Sequence, residues 1–331
     1  MQRQESGAPG GRLPGRFATR LVVTAMAGVG VFVVLAVYAD VKEVARNFAE
    51  FRWEYLPLIV LLILSSYLLR FCKWHYFLGR IDVRLRVKDS LMIFLSGLTM
   101  AVTPARLGEV SKSYLLKRAN GTEISRSVPV VFAERITDLL GMLTLAAISF
   151  SAFEYGRAFL IAVLAFLLAL VVVLRSRRAS GSLLWVARSV PLLRRLSGSI
   201  EVAMGSARTL MGFRNLVVAT GISIVAAGVQ CLAMYFVLRA FGTDASVLLS
   251  TFVFSFSSLA GSVSMIPGGL VAAEGSLIGL LALADISKVS AASATMVIRV
   301  CTLWLGVAVG LVATLRIRNM VFQDPPERPR L

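Results

Sequence analysis

Charged side chains stand inside the most apolar stretches of this 331-residue sequence. If those stretches cross a membrane, each charge at the bilayer centre costs about 2.5–3.5 kcal/mol on insertion scales. Seven of them facing lipid would be untenable, so we expect an interior polar site in which opposite charges neutralise each other. The seven are Arg106, Glu109, Glu134, Arg135, Asp138, Glu274 and Arg299.

The spacing of these charges favours pairing on helices. Glu134 and Asp138 are four residues apart and share a helix face, and Arg135 lies three residues before Asp138 and can pair with it. Arg135 and Arg299 are the predicted cavity cations. Two interpretations stay open: buried ion pairs that lock helices together, or a pathway for a substrate or a proton.

The formal charge of the predicted site decides what it can attract. Its three arginines face four carboxylates, so a fully ionised site would not attract an anion without help. Glu109 and Glu274 are candidates for a protonatable relay, because desolvation favours the neutral form of a carboxyl group. Arg70 and Lys73 could add positive charge by binding a lipid phosphate, or they could snorkel to the interface.

The composition excludes most classes of soluble protein. Hydrophobic residues make up 57% of the chain and charged residues 16%, which is typical of a polytopic membrane protein and not of a soluble enzyme, a disulfide scaffold or a disordered chain. The net charge of +17 suits cytoplasmic loops against anionic lipid headgroups. We therefore expect membrane lipids as partners and no nucleic acid.

The hydrophobic pattern predicts an all-α membrane protein with about six full spans and two proline-broken hairpins, about eight to ten membrane helices in all. The predicted spans cover 21–39, 55–78, 127–150, 158–174, 216–238 and 289–315. Together they form one transmembrane domain over 21–315.

Basic residues set the predicted orientation. They concentrate in the tail 1–20, after the second span, around Lys112 and Lys117, in the loop 175–214 and in the tail 316–331. The positive-inside rule places all of these in the cytoplasm, so both termini are expected on the cytoplasmic side of the cytoplasmic membrane. The loop 175–214 is either a solvated loop or carries an interfacial helix.

Two short apolar regions are predicted to be broken hairpins. The stretch 91–103 is too short to cross and stops at Pro104, with Gly108 following, and the region 246–284 breaks at Pro267, Gly268 and Gly269. The regions enter from opposite sides, so the halves 90–150 and 246–315 are predicted to form an inverted repeat. The alternative is a chance alignment of apolar sequence.

The combined motifs resemble a known family. They are Pro104-x-Arg106-x-Gly108-Glu109, then Glu134-Arg135-x-x-Asp138, then Pro267-Gly268-Gly269-Leu270 with Glu274, and finally Arg299. Over about 55–315 they look like the transmembrane region of lysylphosphatidylglycerol synthases, the flippase-like family. The resemblance implies handling of anionic or aminoacylated phospholipids, or of polyprenyl and glycolipid carriers. Val271 departs from it, because another glycine is expected there.

The first functional hypothesis is a lipid translocator. Arg106, Arg135 and Arg299 would hold a phosphate, helped by Arg70 and Lys73. The acids Glu109, Glu134, Asp138 and Glu274 would balance charge or carry protons.

Two other classes of function are weighed against translocation. One is an accessory or scaffold protein for enzymes of envelope-lipid biosynthesis, and the other is an intramembrane enzyme with Glu109, Glu134 or Asp138 as general base. The sequence lacks a P-loop and a DxD pair, and 316–331 cannot hold the aminoacyltransferase domain of full synthases. We therefore expect no enzymatic activity, no metal and no cofactor.

Overall fold

The computed structural model describes residues 39–103, 108–151 and 197–323, together with single positions at 30, 33, 37, 161 and 165. Within these ranges the chain is helical with short turns and has no β-strand, which confirms the predicted all-α class. Outside the described residues lie most of the predicted first and fourth spans, residues 175–196 of the predicted basic loop, the tail 1–20 and the end of the tail 316–331. Pro104 and Arg106 lie outside them too.

The described helices fall into two groups that follow each other along the chain. The first group is α1 Val41–Ala49, α2 Leu56–Arg80, α3 Val87–Leu98, α4 Ser111–Asn120 and α5 Ile124–Phe150. The second is α6 Ser197–Leu210, α7 Phe213–Ala240, α8 Val247–Val263, α9 Ala272–Leu283, α10 Lys288–Arg299 and α11 Leu305–Gln323. A π-helical turn, Val300–Trp304, joins α10 to α11.

Three predicted spans are confirmed as long apolar helices. They run over Trp53–Arg80, Phe213–Ala240 and Lys288–Ile317, close to the predicted 55–78, 216–238 and 289–315. Helix α5 has 27 residues, enough to cross about 30 Å of hydrocarbon, but carries Glu134, Arg135 and Asp138 near its middle. Its charges therefore need partners on neighbouring helices.

Helices α2 and α7 form the central pair, and they run antiparallel. Near one end the Tyr76 hydroxyl donates to Asn215 Oδ1 at 2.8 Å. At the other end the backbone N–H of Arg52, just before α2, donates to the carbonyl of Ala240 at 3.1 Å. The start of one helix thus lies beside the end of the other.

Two further contacts join helices of different groups. Helix α3 packs on α11, and α8 packs on α5, so the third helix of each group lies against the last helix of the other. Gly310 permits the first of these contacts, because a Cβ there would lie 2.5 Å from the backbone nitrogen of Thr99.

The same turn leads into both interrupted hairpins. After α2 the N–H of Val83 donates to the carbonyl of Leu78 at 3.0 Å, and after α7 the N–H of Thr243 donates to the carbonyl of Leu238 at 3.2 Å. The residue before each donor has positive φ, 57° at Asp82 and 72° at Gly242. Two unrelated sequences therefore close the turn in the same way.

The two hairpin breaks meet inside the molecule. In the first hairpin α3 ends at Leu98 and a 3₁₀ turn follows over Thr99–Val102. In the second, a 3₁₀ turn over Pro267–Gly269 separates α8 from α9. These turns contact each other, so both hairpins bring their irregular backbone to one place.

Val271 makes an unusual turn just after the second break. Its φ of 69° and ψ of −51° are those of a γ-turn, which the N–H of Ala272 closes by donating to the carbonyl of Leu270 at 2.9 Å. This conformation is rare for a β-branched residue. It falls at the position where the family resemblance suggests glycine.

Candidate functional site

A cavity of about 220 Å³ lies where the two breaks meet. Its charged lining comes from α2, α4, α5 and α10 and the segment before α4, and consists of Arg70, Glu109, Lys112, Arg135, Asp138 and Arg299. Serines of α8 and apolar side chains complete the wall: Ser257, Ser258, Ser262, Leu139, Met142, Phe254, Ile266, Leu277 and Leu303. The lining thus combines four cations and two carboxylates with hydroxyl and apolar side chains.

Asp138 is the centre of the first charge network. Its Oδ2 accepts from Arg70 at 3.0 Å and lies 3.6 Å from Arg135, as the i, i+3 spacing predicts. Its Oδ1 accepts from Lys73 and from the hydroxyl of Ser223. A carboxylate offers about four acceptor positions, so those of Asp138 are occupied.

Lys73 points into the protein and does not snorkel. Its side chain is 0% exposed, and its ammonium donates to Ser223 at 2.7 Å and to Thr137 at 3.2 Å as well as to Asp138. Three donors and three side-chain acceptors make it fully bonded. Arg70 is also drawn inward, because it donates to Gln230 at 3.2 Å besides Asp138.

Lys112 also belongs to the network, although it was grouped with the neighbouring basic residues and not with the site. Its side chain is almost fully buried, and its Nζ lies 2.6 Å from Glu134 Oε2 and 3.5 Å from Glu109 Oε2. The ammonium stands 4.5 Å from the ring centroid of Trp74, in cation–π contact. Gly97 makes room for the stem, since a Cβ there would be 2.7 Å from Lys112.

The sequence did contain a signal for Lys112. It follows Glu109 by three residues, a spacing at which helical side chains of opposite charge pair. This signal was overlooked because Lys112, Lys117 and Arg118 together have the pattern of a positive-inside cluster. Burial on the inner face of α4 separates Lys112 from the other two.

A second, smaller charge group holds the break of the other hairpin. Arg299 Nε lies 2.6 Å from Glu274 Oε1, and its NH2 donates to the carbonyl of Gly268 at 2.7 Å. In the first hairpin Arg135 lies 2.9 Å from Glu109, which likewise follows that hairpin's break. In each half, an arginine of a long helix therefore holds a glutamate just past the break.

The described network carries an excess of positive charge. Arg70, Lys73, Lys112, Arg135 and Arg299 provide five cations, and Glu109, Glu134, Asp138 and Glu274 provide four carboxylates. Arg70 and Lys73 thus add the positive charge that was left open for them, and Lys112 adds a cation that was missed. Buried charges this close are tolerated only when paired.

Of the predictions for the three cysteines, two are confirmed and one is wrong. Cys231 and Cys301 are buried as expected of core residues, but Cys72 is exposed on the outer face of α2. His75 Nδ1 lies 3.1 Å from the hydroxyl of Ser90. Gly108 donates its N–H to Thr103 Oγ1 at 2.9 Å in the turn before α4.

Comparison with known proteins finds a matching family model and several similar curated proteins. The family model described as the lysylphosphatidylglycerol synthase TM region matches residues 25–310. Among similar curated proteins is a UPF0104 membrane protein of Methanothermobacter thermautotrophicus, 24% identical over 88% of this chain and 91% of its own length. A second one from that organism is 28% identical over 62% of this chain and 68% of its own. One from Pyrococcus horikoshii is 22% identical over 89% of this chain and 96% of its own.

Proposed function

We propose that this chain, which belongs to the lysylphosphatidylglycerol synthase transmembrane-region family, translocates a lipid with an anionic headgroup across the cytoplasmic membrane. The observation that carries the proposal is the cavity, which joins four cationic side chains to an apolar wall inside a membrane protein. Arg70, Lys112, Arg135 and Arg299 suit a phosphate, because guanidinium and ammonium groups bind phosphate oxygens strongly.

The rim of the cavity supports a lipid over a soluble anion. Ile266 lines the cavity and is also 42% exposed. Around it stand the exposed apolar side chains of Val263, Met265 and Val271. A rim of this kind is stable against hydrocarbon and unfavourable against water, so a lipid could keep its tails in the bilayer while its headgroup enters.

The helix arrangement supports an inverted repeat. An axis relating antiparallel α2 and α7 runs perpendicular to both helices, and it also exchanges the α3–α11 contact with the α8–α5 contact. If α2 and α7 cross the bilayer, that axis lies in the membrane plane. The two hairpins would then enter from opposite leaflets, with both termini in the cytoplasm.

The ion pairs suggest how headgroup binding could drive movement. A ligand shifts a conformational equilibrium only through contacts that differ between the two states. A phosphate bound to Arg299 would compete with Glu274 and with the carbonyl of Gly268, and so would loosen the second break. Bound to Arg135, it would compete with Glu109 beside the first.

A transport assay tests the proposal. Purified full-length protein is reconstituted into vesicles containing fluorescent phosphatidylglycerol, and dithionite removes the fluorescence of the outer leaflet. We expect the inner-leaflet label to become accessible faster than in protein-free vesicles. If none of phosphatidylglycerol, its lysyl ester and a polyprenyl phosphate becomes accessible faster than in protein-free vesicles, translocation is refuted.

The scaffold hypothesis remains the second candidate because of one observation, the close pairing of every buried acid with a cation. The same pairing disfavours an enzyme, since a general base needs a carboxylate free to accept a proton. Glu109, Glu134 and Asp138 are each held by at least one cation.

A further inference from the structure

We infer that the cavity selects a phosphate headgroup without an amino group, and therefore discriminates against aminoacylated lipids. The inference rests on the proposed function and specifies its substrate. It comes from the supply of hydrogen-bond donors and acceptors in the cavity wall.

The wall has donors to spare. Each arginine carries five N–H groups. Arg70 uses NH1 and NH2 for Asp138 and Gln230, and Arg135 uses the same two nitrogens for Asp138 and Glu109. Two of the five N–H groups are thus engaged in each named set of contacts, and the terminal nitrogens keep N–H groups for a ligand rich in acceptors.

Charged acceptors in the wall are already committed. The two lining carboxylates are Glu109 and Asp138, among the residues that the structure describes. Glu109 faces Arg135 at 2.9 Å and Lys112 at 3.5 Å, and Asp138 faces three cations. An incoming ammonium would have to displace one of these cations.

The second carboxylate oxygen of Glu274, Oε2, makes no hydrogen bond to any described residue and is therefore an acceptor that an ammonium could use. However, Glu274 is 1% exposed and is absent from the described cavity lining, whereas Arg299 belongs to it. A ligand in the cavity therefore meets the guanidinium of this pair and not its carboxylate.

An aminoacylated headgroup fits this wall poorly. An ammonium group has three donors and no acceptor. Here it would meet four lining cations, two carboxylates already paired with cations, and neutral groups such as the hydroxyls of Ser258 and Ser262. A phosphate has the opposite inventory and can take a bidentate contact from arginine. The chain thus favours the unmodified lipid over its lysyl ester.

A competition experiment with the full-length protein in detergent tests the selectivity. The probe is phosphatidylglycerol with a fluorescent acyl chain, and the competitors are unlabelled phosphatidylglycerol, its lysyl ester and diacylglycerol with the same chains. We expect the lysyl ester and diacylglycerol to compete at least tenfold more weakly than phosphatidylglycerol. An R299Q/E274Q variant should bind the probe at least tenfold more weakly, while R46Q, on the exposed face of α1, should bind it normally.

Three outcomes would overturn the inference. Equal or stronger competition by the lysyl ester means that the site accepts an ammonium, and equal competition by diacylglycerol means that it ignores the headgroup. Absence of probe binding contradicts a lipid site here altogether. Selective binding without transport in vesicles would uphold the headgroup preference and refute translocation. Transport of the lysyl ester at the same rate as phosphatidylglycerol would uphold translocation and refute the headgroup preference.

Discussion

At the scale of single residues, the pair Glu274–Arg299 has a structural role and, under the proposed function, would also bind the headgroup. Glu274 is almost completely buried and bonds Arg299 at 2.6 Å, so removing the arginine leaves a buried carboxylate unpaired. We expect R299Q to lower the free energy of unfolding by about 3–5 kcal/mol. The unfolding midpoint of the purified protein in detergent measures this loss.

The double variant R299Q/E274Q separates the two roles. It removes both charges and so leaves no buried carboxylate unpaired, but the shorter glutamine loses the contact to the Gly268 carbonyl. Stability should therefore be higher than in R299Q, while lipid transport stays lost. Recovery of transport along with stability would mean that the pair only holds helices together, as in a scaffold.

Lys112 allows a second test of buried charge. K112M should destabilise the protein by about 3–5 kcal/mol, because Glu134 then lacks a partner at 2.6 Å. K117M, on the exposed side of the same helix, should change stability by less than about 0.5 kcal/mol. Equal unfolding midpoints for the two variants would contradict the assigned network.

The sequence predicted the charged residues of the site better than their partners. Charged residues inside an apolar run are easy to recognise in the sequence, as with Glu134, Arg135 and Asp138. The helical spacing also predicts the Arg135–Asp138 pair. Arg70 and Lys73 lie near a span end, where snorkelling and burial produce the same pattern. The deciding contacts to Asp138 and Ser223 cross between helices, so no local spacing encodes them.

At the scale of the elements, Val271 marks a strained turn between the second break and α9. Holding a non-glycine residue in such a backbone conformation costs about 1–3 kcal/mol of folding free energy. Glycine would relieve this strain, but part of the gain would be offset because glycine loses more conformational entropy on folding. We expect V271G to raise the unfolding midpoint. V263G, in the last turn of α8, should instead lower stability by about 1 kcal/mol, and a similar loss in both variants would argue against the γ-turn.

The α3–α11 contact depends on a glycine. G310A should cost about 1–3 kcal/mol, because the new methyl group would lie within 3 Å of Thr99 and of the Leu95 carbonyl. G221A, at a position in α7 with open space, should be neutral or slightly stabilising. Thermal unfolding of both proteins compares them directly, and tolerance of G310A would contradict this close packing.

Element boundaries followed from the sequence where apolar runs are long. The predicted edges of α2 and α7 fall within a few residues of the observed ones, because charged or turn residues bound both runs. Helix α6, Ser197–Leu210, lies in the region 175–214, for which a solvated loop and an interfacial helix were both left open. It packs on α5, a contact that the local polarity of the segment does not reveal.

At the scale of the whole molecule, the proposed inverted repeat would carry an asymmetric distribution of charge. The first half supplies Lys73, Lys112, Glu134 and Asp138, while the described second half offers one buried ion pair and Gln230, which faces Arg70. A backbone repeat of this kind would suit alternate opening. The uneven charge would concentrate headgroup binding on the side of the first half.

The most direct test of a single cavity serving both leaflets is its accessibility from each side of the membrane. Cys72, Cys231 and Cys301 are first replaced by serine, and Ser258, which lines the cavity, is changed to cysteine. The measurement is labelling by a membrane-impermeant thiol reagent added to either side of sealed vesicles, with S255C, buried on the same helix, as the control. We predict labelling of S258C from both sides, slowed by phosphatidylglycerol, and none of S255C; labelling of S258C from one side only would contradict the account.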